Sequence, residues 1–211
     1  MIKKIFLPVI IIIFLFACKN STNPTKNTTN PIDDVNLTNA KDLTLGNIFY
    51  YREYRDFPHG YTYQMYEVIG DTILNEVNYA ILRESFFDAN KNSYGNVLYV
   101  YQRSDERKLY RWNHGESIIF DLDWMIGEKS VTSKGDTAFF GMNVDYIIIG
   151  STFSIPEWQQ WGFTVYVYEQ HFGLTKFQER VITGGSETLW ALDLIGCQLQ
   201  GKVFGKTIQQ F

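Results

Sequence analysis

The chain has 211 residues, of which 45% are hydrophobic, 20% charged and 17% aromatic, and its formal net charge is −4. That density of large apolar side chains excludes an intrinsically disordered protein, which lacks the apolar area to offset the entropy of ordering. The acidic balance argues against nucleic acid as a partner, because such binding needs a basic surface to displace counterions.

Lys3 and Lys4 give the chain a basic start, and residues 5–17 form an uncharged apolar run interrupted only by Pro8. The run is too short for the roughly 20 apolar residues that cross hydrocarbon, but it suits the apolar core of a secretory signal. It ends in Leu15-Phe16-Ala17-Cys18. This resembles the lipobox of bacterial lipoproteins, where a small residue precedes a cysteine that receives a diacylglyceryl group and becomes the new N-terminus. Leu15, Ala17 and Cys18 match the pattern, while Phe16 stands where a small or β-branched residue is usual. The other cysteine, Cys197, is far away, so Cys18 does not belong to a disulfide framework. The alternative is an ordinary secretory signal with Cys18 incidental. The resemblance implies a signal peptide over 1–17, a lipid bilayer as partner through the acyl anchor on Cys18, and a cell-envelope address. Lys19-Asn20-Ser21 carries no acidic residue; by the same resemblance, that favours the periplasmic face of an outer membrane.

Between residues 19 and 40, 14 of 22 residues are Asn, Thr, Ser or Pro, and none is aromatic. Such a segment buries too little apolar area to order itself and is expected to be a flexible tether, assigned to 18–42 with the lipidated cysteine. Its charges cancel, Lys19, Lys26 and Lys41 against Asp33, Asp34 and Asp42, so no electrostatic attachment to a membrane is implied. Of the 35 aromatic residues, 32 lie in 45–211. A single domain is expected over 43–211.

In that domain the chain reads as strands between turn signals. Tyr61, Tyr63 and Met65 alternate with Thr62 and Gln64, a period of two that sets one face on a core. Phe163, Val165 and Val167 alternate with Thr164, Tyr166 and Tyr168, and Trp190, Leu192 and Leu194 with Ala191 and Asp193. His59-Gly60, Gly70-Asp71, Asn113-His114-Gly115, Lys134-Gly135-Asp136 and Gly184-Gly185 are the expected turns. No stretch shows a 3.6-residue stripe, although Ser154–Gln160 can hold one short helix with Pro156 in its first turn. The expected fold is all-β and mainly antiparallel, with about 9–12 short strands in a strongly curved sheet, open barrel or sandwich.

The order of features runs from Asn47-Ile48-Phe49-Tyr50-Tyr51 through Gly70-Asp71-Thr72-Ile73-Leu74-Asn75 and Leu98-Tyr99-Val100-Tyr101. It continues through Ile119-Phe120-Asp121-Leu122 and Phe172-Gly173-Leu174 to Leu194-Ile195-Gly196 and Gly201-Lys202-Val203-Phe204-Gly205. It resembles that of β-rich envelope lipoproteins and secreted proteins of Bacteroidota-type bacteria, a group that is largely uncharacterised. The resemblance implies a fold and an envelope address, and brings no catalytic residue and no cofactor.

Candidate chemistry is sparse. His59, His114 and His171 are widely separated, with no Cys-x-x-Cys or His-x-x-x-His pair, so no metal site is expected. Gly184-Gly185-Ser186-Glu187-Thr188 lacks the last glycine and following helix of a nucleophile elbow and reads as a hairpin tip. Cys197 sits in an apolar context as a small buried hydrophobe. Asp121 and Asp123 are placed two apart on a strand, with Glu128 nearby. Such a pair could serve glycan hydrolysis or hold a hard cation. The strongest binding feature is Trp158 and Trp161 with Gln159 between them, in a polar connection suited to stacking on a sugar or docking a protein. The competing reading folds both indoles inward as a plug. Two functions follow: a non-enzymatic envelope domain for binding or structural interaction, or a hydrolase using Asp121 and Asp123.

Overall fold

A computed structural model gives the fold and describes residues 39–56, 60–87 and 93–208. The expected signal peptide, Cys18, the tether through residue 38 and His59 lie outside the described residues. The strands are β1 (Ile48–Arg55), β2 (Gly60–Leu74), β3 (Val77–Phe87), β4 (Ser93–Ser104), β5 (Lys108–Trp112), β6 (Glu116–Asp121), β7 (Val131–Phe139), β8 (Met142–Ile155), β9 (Gln160–Glu169), β10 (Gly173–Thr183), β11 (Ser186–Leu199) and β12 (Lys202–Gly205). No α-helix occurs among the described residues. The helix expected near Ser154 is a single 3-10 turn, Pro156–Trp158, closed by Gln159 at φ 48°.

All pairings are antiparallel, and the twelve strands make one sheet in the order β6-β5-β4-β3-β2-β1-β11-β10-β9-β8-β7, with β12 folded back on β11. Two meanders are therefore joined where β1 pairs with β11. Register shifts at Tyr50–Tyr51, Val68–Gly70, Glu84–Phe86 and Leu174–Lys176 interrupt the ladders. Bulges of this kind bend the strand and sharpen its twist, and here they curl the sheet until its two ends meet.

The meeting is made by side chains. Leu109 and Phe120 of β5 and β6 pack with Val131, Ile147 and Tyr168 of β7, β8 and β9. The Phe120 and Tyr168 rings stack at 4.5 Å. Lys134 Nζ donates to the Leu122 and Trp124 carbonyls at 3.1 and 3.4 Å, and Arg107 pairs with Asp145 at 3.5 Å. No backbone ladder joins β6 to β7. The result is an open barrel with an apolar seam. A second cluster, around Phe49, Val68, Leu82, Val144, Phe172 and Leu199, fills one end.

Residues 39–42, read from sequence as tether, are part of the domain. Ala40, Lys41 and Asp42 are buried. Ala40 N–H donates to the Asp105 carbonyl at 2.7 Å and Lys41 N–H to Ser104 Oγ at 2.9 Å. On the other side, Asp42 N–H donates to the His171 carbonyl at 2.9 Å and His171 N–H to the Asn39 carbonyl at 3.1 Å. The segment thus straps the β4–β5 turn to the β9–β10 turn across the barrel end, so the packed domain starts before residue 43.

Two expected turns lie inside strands. Gly70-Asp71 is within β2, beside a bulge, and the chain reverses instead at Asn75 and Glu76, both at positive φ. Lys134-Gly135-Asp136 is within β7, and the reversal comes at Phe140-Gly141. The strands are accordingly longer than expected, up to 15 residues in β2. The face set on the core by β2 is not Tyr61–Tyr63–Met65. Gln64 and Val68 are buried, while Tyr61 is exposed. Buried Gln64 is accommodated because its Nε2 donates at 2.8 Å to Glu53 Oε2, which also accepts from Thr62 Oγ1 at 3.0 Å. Glu53 takes a further bond from Arg55. A hydrogen-bonded polar group can be buried at small net cost. The Asn113–Gly115 and Gly184–Gly185 turns stand where expected.

Phe120 is fully buried at the seam. Phe120→Ala is therefore expected to lower the unfolding free energy by about 3–5 kcal/mol in urea titration. Ile73→Ala, on an exposed stretch of β2, should change it by less than about 0.5 kcal/mol.

Candidate functional site

The inner face of the barrel holds a half-open cavity of about 220 Å³. Its walls come from nine strands and the strap. Tyr51, Tyr66, Tyr166 and Tyr168 supply aromatic surface, Leu109, Ile119 and Leu192 aliphatic surface, and Lys41, Glu84, Gln102 and Arg111 the charged and amide groups. Aromatic walls with a few convergent polar groups are the usual composition of a ligand pocket, although this one is smaller than those for drug-sized molecules.

The tyrosines are held by position and by hydrogen bonds. Tyr51 and Tyr66 sit on neighbouring strands with rings edge to face at 5.4 Å. Tyr51 OH donates to the Leu174 carbonyl at 2.8 Å, and Tyr66 OH donates to Glu84 Oε1 at 2.7 Å. Burial raises the pKa of both, and for Tyr66 the adjacent Glu84 raises it further. Both stay protonated and keep donating at any physiological pH.

Lys41 is only 4% exposed. Its Nζ lies 4.3 Å from the Phe49 ring centroid and 3.5 Å from Gln102 Oε1. Among the described residues, no carboxylate stands within ion-pair distance of it. The stem is accommodated by Gly173, at φ 74°, where an added Cβ would come within 2.8 Å of Lys41 Cδ. Burial lowers the ammonium pKa from 10.5 to about 7, a shift that the neighbouring Cys197 opposes. A buried, unpaired cation of this kind costs stability until it deprotonates or gains an anion. Lys41 and Gln102 also line a second, more open cavity of about 300 Å³ with Thr44, Asp71 and Arg103, so they form the partition between the two.

Arg111 faces Gln102 across the β4–β5 ladder. Its guanidinium, which makes no ion pair among the described residues, is close enough to Tyr66 and Tyr168 to oppose the rise in their pKa values. Two basic side chains thus border one side of the cavity, against the single carboxylate of Glu84.

Other residues singled out from sequence are placed elsewhere. β6 ends at Asp121, so Asp121 and Asp123 do not share a strand face. Asp121 Oδ1 accepts the Asp123 N–H at 2.8 Å and its Oδ2 pairs with Lys108 at 3.2 Å, while Asp123 pairs with Arg107 at 2.5 Å. Glu128 Oε2 accepts the Met125 N–H at 3.0 Å. These carboxylates stabilise a turn, and none lines either cavity. Trp158 and Trp161 are 68% and 52% exposed, so the inward plug is overturned. Gln159 accepts through its carbonyl from Gly184 N–H at 3.5 Å, which brings the β8–β9 and β10–β11 tips together. Cys197 is buried, and burial pushes its thiol up. His171 Nδ1 sits 3.0 Å from the Asn39 carbonyl, and His114 occupies the β5–β6 turn. Sequence reading missed Lys41, Tyr66, Glu84 and Arg111. They lie on the strap and on three different strands, and their convergence depends on which strands become neighbours.

Unfolding returns Lys41 to water, where its ammonium holds its proton up to about pH 10.5. Between about pH 7 and that value the unfolded chain binds more protons than the native one, so stability rises with pH across this window. Lys41→Met should abolish that component and stabilise the protein most at pH 6. The difference in melting temperature between variant and wild type, followed from pH 6 to 10, checks this.

No family model and no curated protein matches the chain. Among solved structures, it is similar to a candidate lipoprotein from Parabacteroides distasonis at 8% identity and a TM-score of 0.48, covering 80% of this chain and 99% of that one. It is also similar to a candidate exported protein with a YmcC-like fold from Bacteroides fragilis, at 8% identity and a TM-score of 0.50, covering 76% of this chain and 96% of that one. At this identity the likeness is one of fold. The chain thus shares the sheet architecture of the Bacteroides fragilis protein.

Proposed function

We propose that the chain is a lipid-anchored protein of the bacterial envelope whose β domain binds a ligand or partner and carries out no chemistry of its own. The observation that carries this reading is the interior cavity: it is walled by tyrosines, and its one carboxylate, Glu84, already accepts from Tyr66. General acid–base hydrolysis of a glycan needs two carboxyl groups flanking one bond. Asp121 and Asp123 are instead engaged by Lys108 and Arg107.

The address rests on Leu15-Phe16-Ala17-Cys18 and is supported by the fold shared with an exported-type protein. The lack of an acidic residue in Lys19-Asn20-Ser21 favours the periplasmic face of the outer membrane. A second contact surface is the β8–β9 tip, where exposed Trp158 and Trp161 flank Gln159 and suit a protein or glycan partner.

Cys18→Ser is expected to abolish incorporation of labelled fatty acid and to release the protein from membranes; a variant still requiring detergent for extraction would refute the anchor. Trp158→Ala and Trp161→Ala should each leave the melting temperature nearly unchanged while reducing retention on envelope glycan or protein fractions. A large loss of thermal stability would show that the indoles serve packing.

A further inference from the structure

We propose that the interior cavity takes a small organic anion, a carboxylate on an apolar body, with its acid group seated at Lys41, Gln102 and Arg111. The proposal rests on the binding reading above and names the ligand class for that cavity.

Three observations support it. Lys41 is buried without a counter-ion, and its nearest polar partner, Gln102 Oε1, is a marginal 3.5 Å away. An ammonium has three protons to donate, and the cavity-facing ones have no acceptor of opposite charge among the described residues. The Arg111 side chain lies next to Gln102 on the same inner face and can offer a guanidinium fork to the same acid group. Finally, Glu84, the carboxylate that would oppose an anion, lies four rows along the β3–β4 ladder from Gln102 and is occupied by Tyr66.

The rest of the cavity suits hydrocarbon or an aromatic ring. From the acid end the walls run along Tyr51, Tyr166 and Leu192. Beyond Leu192, on the same face of β11, Trp190 is partly exposed, and Leu98 of β4 is exposed opposite Glu84. An apolar body too long for 220 Å³ would emerge over this lip. The volume excludes a whole phospholipid and fits a short or medium-chain acid. Bound carboxylate would supply the missing counter-ion, so it should draw a proton onto Lys41 at pH values where the free protein has released it.

Calorimetric titration with octanoate, and with 1-octanol as its uncharged counterpart, tests the idea on the mature protein carrying Cys18→Ser, free of lipid and detergent. At pH 6.5 octanoate should bind at least tenfold more tightly than octanol. Lys41→Met should remove that preference while octanol binding persists, and Arg111→Gln should weaken it. At pH 8, heats measured in buffers of different ionisation enthalpy should reveal proton uptake on octanoate binding, absent in Lys41→Met. Equal affinity for the two probes, or a preference that survives Lys41→Met, would overturn the anion and leave the cavity reading standing. Failure of both probes to bind would overturn both.

Discussion

The strap formed by residues 39–42 is the constraint on which the rest of the domain depends. A curled sheet whose end strands share no ladder must be held at its ends by something else. Four residues do this by donating to the β4–β5 turn on one side and exchanging bonds with the β9–β10 turn on the other. The strap is itself fastened: Asp42 Oδ1 accepts from the Thr44 hydroxyl at 2.6 Å and Asp42 Oδ2 from Gln200 Nε2 at 3.0 Å, while Asn47 Oδ1 accepts the Gln200 N–H at 2.7 Å. This network ties the chain entry to the β11–β12 turn. Lys41 is carried inward as a consequence, since the backbone bonds that place Ala40 and Asp42 leave its side chain only the barrel interior.

The fold class was legible because it rests on local signals. Alternating apolar residues and turns at Asn113–Gly115 and Gly184–Gly185 suffice for an antiparallel sheet. The errors arise where a residue serves a neighbouring strand. Gly135 reads as a turn, yet a Cβ there would lie 3.3 Å from the Tyr146 ring, so the glycine makes room for an aromatic across the β7–β8 ladder. Phe140 has no turn character, but it adopts φ 47° while its ring packs on Phe139 and Phe172. Gln64 reads as an outward residue because its bond to Glu53 joins positions eleven apart.

The site was far less legible than the fold. Lys41 stands in a stretch of Asn and Thr where any lysine reads as solvated, and only the tertiary bonds of the strap reverse that. Tyr166 and Tyr168 were visible as strand residues, but not as walls of one chamber with Tyr66, because β2 and β9 meet only through curvature. Trp158 and Trp161 were visible from composition alone, since the polar connection that holds them is local.

The seam between β6 and β7 has a mechanical meaning. Every other junction along the barrel is a hydrogen-bonded ladder, which must break several backbone bonds to part. The seam is held by the Phe120–Tyr168 stack, the Lys134 ammonium and the Arg107–Asp145 pair. Parting it exposes apolar surface but orphans no peptide group along either strand. The barrel is thus closed along this one line by side chains alone, and the two edge strands can part there without breaking a backbone ladder.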